Sequence, residues 1–133
     1  METAAKILIV GGVLNLAYGF LTGLFMASVR RTSPEAPRYL VSAHLTPLME
    51  GPMLLGLAIA VGLSNLPTGV ETLAASLLVA ASAVLAAADT LCWLQGIKDA
   101  FAERPPGLFL GVTQGTLASV GLAILTVGVF RGL

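Results

Sequence analysis

The chain has 133 residues, of which 56% are hydrophobic and 11% charged, and its mean hydropathy is +0.92. Water-soluble domains carry roughly 25% charged residues, so this composition excludes an ordinary soluble domain and leaves no long polar segment for a second one. The formal net charge of zero offers no basic face for nucleic acid, and a single cysteine, Cys92, excludes an internal disulfide and a cysteine zinc cluster.

The first apolar span runs from about Ala5 to Val29 and meets the roughly 20 residues that a helix needs to cross the hydrocarbon core. Its apolar run exceeds the ~7–15 residues of a signal peptide and no A-x-A-like cleavage site follows, so it is expected to remain in the mature protein. Asn15, Tyr18 and Thr22 fall at i, i+3 and i+7, one stripe of a helix. Gly19 and Gly23 stand at G-x-x-x-G spacing, which permits close backbone approach within the bundle or between protomers. The stretch "RRTSPEAPR" then breaks the helix.

The second span, Tyr39 to Leu63, places His44 and Glu50 among apolar residues. Their six-residue separation is about 120° around an ideal helix, but Pro47 and Pro52 flank Glu50 and predict a kink whose freed carbonyls can line a cavity. After "SNLPTG" the third span, Val70 to Gly96, carries Ser82 and Asp89 two turns apart on one face. Cys92 lies in the same apolar run as a buried structural thiol, while Trp93, like Tyr39, stands where interface anchors occur. "IKDAFAERPP" supplies the last turn, and the fourth span, Leu108 to Phe130, holds Gln114 between Gly111 and Gly115, a second G-x-x-x-G pair.

Short loops make successive helices antiparallel, so the expected fold is all-α, a single-domain integral membrane four-helix bundle in the cell membrane with the lipid bilayer as its surroundings. Arg30, Arg31, Arg38, Lys98 and Arg104 lie in the first and third loops and only Lys6 and Arg131 on the other side, which assigns those loops to the cytoplasm and both termini to the outside. "GLAIAVG" at Gly56 and "GLAILTVG" at Gly121 form an internal echo of a two-plus-two helix repeat, which composition alone can also produce.

Ionisable groups at the membrane centre cost about 2.5–3.5 kcal/mol on insertion scales, so His44, Glu50 and Asp89 together predict a functional interior. A single interhelical hydrogen bond accounts for an isolated Asn15 or Gln114.

The second-helix pattern H-x5-E-G, His44 to Glu50-Gly51, followed by Met53 and an aliphatic run, resembles the H-x5-N-G-M of styrene oxide isomerases. The resemblance extends to size, helix number and loop placement. It implies a homotrimer with haem b near the protomer interfaces, His44 as metal ligand, and iron acting as a Lewis acid that isomerises a small apolar epoxide to a carbonyl compound. The family's asparagine falls at Glu50 and its third-helix tyrosine, counted without gaps, at Asp89. Two acids therefore replace two neutral hydrogen-bonding groups, and Glu50 and Asp89 are the expected catalytic pair.

A neutral imidazole is a common haem ligand, usually oriented by a carbonyl or carboxylate on its other nitrogen. His44, Tyr18 and Asn15 are accordingly the expected cofactor-binding residues. Two desolvated carboxyls close together should not both ionise, and a protonated one can donate a hydrogen bond or pass a proton. No C-x-x-C-H motif is present for covalent haem attachment, and no G-x-S-x-G, P-loop or H-E-x-x-H motif occurs. The alternative is a non-catalytic accessory subunit or a proton or solute carrier that uses the same buried acids.

Overall fold

In the computed structural model, which describes residues 2–133, the four expected spans form helices α1 (Thr3–Thr32), α2 (Arg38–Val61), α3 (Thr68–Leu94) and α5 (Pro106–Gly132). All four are long and apolar enough to cross a membrane. Leu14, Leu24, Ile59, Phe109 and Phe130 are exposed on their outer surfaces, as a lipid-facing bundle requires and a water-facing one does not. The chain is thus a multi-pass helical bundle.

Successive long helices are antiparallel, which leaves α1 and α3 running in the same direction. The most extensive packing joins α1 to α2 and α3 to α5, while α3 also contacts α1 and α2. Only slight contact joins α2 to α5, so α3 is the central element and α5 the most lipid-exposed. Near the start of α1 an apolar core gathers Ala4, Leu8, Leu54, Val61, Ala75, Leu78 and Leu125. Asn15, Tyr18, His44 and Asp89 lie toward the other end of the bundle, while Glu71 is buried at the core end.

Glycines determine how closely these helices meet. A Cβ on Gly12 would lie 2.9 Å from the Gly51 carbonyl oxygen, and one on Gly51 would lie 3.0 Å from that of Gly12, so α1 and α2 cross backbone to backbone at this pair. The glycine of the E-G motif is therefore a helix-crossing residue. Gly19 and Gly23 serve the same interface, seating Leu48 and the His44 ring. Gly111 and Gly115 on α5 have open space where a Cβ would stand, so the second G-x-x-x-G pair is not used inside the protomer. The internal echo also divides in use: Gly56 is open, whereas Gly121 packs against the Ala74 carbonyl and Leu78.

The helix α2 continues through Pro47 and Pro52. Pro47 has no N–H to offer the Ala43 carbonyl one turn earlier. Thr22 on α1 places its hydroxyl 3.1 Å from that oxygen, where the freed carbonyl shares the one hydroxyl proton with the Gly19 and Tyr18 carbonyls of α1 at 2.9 and 3.0 Å.

The sequence reading placed only a turn in the third loop, and the structure adds α4 (Ala100–Glu103) there. Asp99 accepts from the backbone N–H groups of Phe101 and Ala102, and Glu103 Oε1 accepts from those of Lys98 and Asp99. These reciprocal caps hold one short turn, and the two donated N–H bonds keep the exposed Glu103 carboxyl below its usual range. Tyr39 ties the turn to α2 by accepting from Ala100 N at 3.1 Å.

Candidate functional site

The polar side chains divide between two faces of α2. Ser42, Thr46 and Glu50 recur every four residues on the face toward α3. Asp89 on α3 is buried there, and its Oδ2 accepts from Ser42 Oγ at 2.6 Å and Thr46 Oγ1 at 3.1 Å. Glu50 follows one turn beyond Thr46. Its Oε2 is the one buried side-chain polar atom among the described residues that has no hydrogen-bond partner.

His44 lies on the other face, against α1. Its Nδ1 is 2.8 Å from the Gly19 carbonyl oxygen, and because a carbonyl only accepts, Nδ1 carries the proton. The ring rests on Gly23, where a Cβ would come within 2.7 Å of Cε1. In the neutral ring Nε2 then bears the lone pair, and it makes no hydrogen bond among the described residues. This is the arrangement found in metal-binding histidines, in which one nitrogen is fixed by a backbone acceptor and the other is left to ligate.

The structure therefore brings Glu50 and Asp89 to one interface and His44 to another. Positions 44 and 50 serve different neighbours, as their spacing of about 120° on an ideal helix expects. Asn15 and Tyr18 lie apart from His44 as well, on the side of α1 that faces α3. Asn15 Nδ2 donates to Ser82 Oγ and to the Gly11 carbonyl, both at 2.9 Å, and Tyr18 OH is hydrogen-bonded to Thr90 Oγ1. Among the described residues no cluster of three or more His, Cys, Asp or Glu side chains is placed to hold a metal ion.

Ser42 and Thr46, which donate to Asp89, and Thr90, which meets Tyr18, were not singled out from sequence. Ser42 and Thr46 look like ordinary small polar residues of a membrane helix until Asp89 is placed opposite them; their spacing from Glu50 was the available signal. Glu71 is also buried, in the first turn of α3. Cys92 is buried against Gly107 of α5, as a structural thiol would be.

Comparison with known proteins gives no matching family model, no matching curated protein and no matching solved structure.

Proposed function

We propose that the protein is a haem b-binding protein of the cell membrane, similar to styrene oxide isomerases, in which His44 would hold the haem and a small apolar epoxide-like molecule is the substrate class. The observation that carries this reading is the His44 ring: Nδ1 is committed to the Gly19 carbonyl and Gly23 gives the ring room, so Nε2 is oriented as a donor. When bound, haem supplies a Lewis acid that can stabilise negative charge on a substrate oxygen. The chain's own part is to fix the imidazole, exclude water with the apolar surfaces of α1 and α2, and offer the Glu50 and Asp89 carboxyls for proton exchange.

A homotrimer belongs to the same proposal. Gly111 and Gly115 have no intraprotomer neighbour to accommodate, and Gln114 between them makes no hydrogen bond among the described residues. Small residues beside a polar side chain on a lipid-exposed helix suit an interface between protomers.

The test is the absorption spectrum of detergent-purified protein with bound haem. The expected result is a Soret band in the wild type and its loss in His44→Ala at equal protein recovery and unchanged helical content. Equal haem content in the two proteins overturns the assignment.

One observation favours a second reading, in which the protein is a proton carrier or accessory subunit. Glu50 presents an unpartnered buried oxygen one turn from the hydroxyls that hold Asp89. Such an acid pair can exchange a proton without any cofactor. Proton flux into vesicles that depends on Glu50 and persists in His44→Ala would favour this reading over the haem protein.

A further inference from the structure

We propose that a groove between α1 and α3 is a second ligand site, which binds a lipid-soluble alcohol or phenol through the Asn15 side-chain oxygen. The groove has a volume of about 550 Å³, within the range of small-molecule sites. Leu14, Ala83, Ala87 and Leu91 form apolar walls that are exposed on the outer surface of the bundle, so a ligand enters from lipid. Its polar lining consists of Asn15, Tyr18 and Thr90.

Proton accounting determines what these groups can bind. Both Asn15 N–H donors are used, one on the Gly11 carbonyl and one on Ser82 Oγ. The Gly11 carbonyl can only accept, which fixes the orientation of the amide. The Ser82 proton goes to the Val79 carbonyl at 2.9 Å, so Ser82 is an acceptor toward Asn15. No donor among the described residues reaches Asn15 Oδ1. Asn15 is only 8% exposed, yet the one sealed, unpartnered side-chain atom is Glu50 Oε2, so Asn15 Oδ1 opens into the groove that its side chain lines.

Tyr18 gives the same answer. Thr90 donates its single proton to the Ala86 carbonyl at 2.6 Å, so the bond between Tyr18 and Thr90 uses the tyrosine proton. The Tyr18 oxygen is left with lone pairs only. A groove whose polar groups have spent every proton selects a ligand that brings one. An epoxide, ether or aldehyde oxygen, which only accepts, finds no donor here. The site is thus separate from His44 in place and opposite in polarity to an epoxide pocket, and it does not depend on haem.

The test uses the full chain in nanodiscs, titrated with 1-naphthol and with 1-methoxynaphthalene, which keeps the rings and lacks the proton; signal from empty nanodiscs is subtracted. One hydrogen bond corresponds to a preference of up to about tenfold for 1-naphthol. Asn15→Leu is expected to remove that preference. Ala87→Phe, from an exposed position that leaves the Asn15–Ser82 bond in place, is expected to fill the groove and weaken both ligands. Equal affinity of the wild type for the two probes overturns the proposal, as does 1-naphthol binding that Ala87→Phe leaves unchanged. A spontaneous Ala87→Cys disulfide between protomers in native membrane would assign the groove to a second copy of the chain and also overturn it.

Discussion

The two faces of α2 use polar residues in opposite ways. Toward α1, a single imidazole is fixed by a backbone carbonyl over a glycine and retains an uncommitted ring nitrogen. Toward α3, one carboxyl oxygen accepts from two hydroxyls and the neighbouring Glu50 is left with an orphan oxygen. A membrane interior makes both arrangements costly unless each polar atom finds a partner or a task. The difference indicates that His44 and the acids are separable, and substitutions on one face should leave the other intact.

The largest expected effect is on the α1 face. Gly23→Leu forces side-chain atoms into the space of the His44 ring, at a packing cost of about 1–3 kcal/mol. Haem occupancy is expected to fall to that of His44→Ala, whereas Gly111→Leu, on the open side of α5, leaves the seat of the His44 ring intact and shifts the assembly toward monomers. Haem-to-protein ratio and crosslinking in native membrane read the two outcomes. Retention of full haem content in Gly23→Leu would break the link between the seated ring and ligation.

Much of this arrangement was legible in the sequence. Hydropathy locates the four spans because each must cover the hydrocarbon core with apolar residues, and the i, i+3 stripe of Asn15 and Tyr18 does face another helix. What one-dimensional spacing lacks is the partner. Nothing in the chain announces that Gly12 meets Gly51, since glycine is frequent throughout, or that Ser82 and Thr90 stand opposite Asn15 and Tyr18. The prolines leave α2 a continuous helix, and Thr22 from α1 approaches a carbonyl that Pro47 frees. The α4 turn was hidden for a different reason: its stability comes from reciprocal caps by Asp99 and Glu103 and not from an apolar period.

A smaller effect is expected where Asp89 meets α2. Asp89→Ala removes the acceptor shared by Ser42 and Thr46, and the loss of two side-chain hydrogen bonds in a buried setting costs about 1–3 kcal/mol. Asp89→Asn retains an acceptor oxygen and is expected to recover most of that loss. Unfolding by SDS titration from mixed micelles measures both. Haem content should stay constant in both variants, and a parallel loss of haem would show that the two faces are coupled.

The smallest effect separates a positioning acid from a structural liability at Glu50. Because Oε2 has no partner, Glu50 contributes little to folding through that atom, and replacing it with an apolar group of similar length removes a desolvated polar group. Glu50→Met is therefore expected to stabilise the bundle by about 1 kcal/mol in the same SDS titration. Glu50→Gln keeps shape and polarity, so it should leave stability and haem content near the wild-type values while removing the carboxyl's ability to exchange a proton. If turnover of an epoxide-like substrate, or proton flux, falls in both variants, the orphan oxygen is retained for chemistry at a cost in stability. If Glu50→Met destabilises the bundle, the oxygen has a structural partner in the membrane, such as a neighbouring protomer, and the face toward α3 then contributes to assembly as well as to proton exchange.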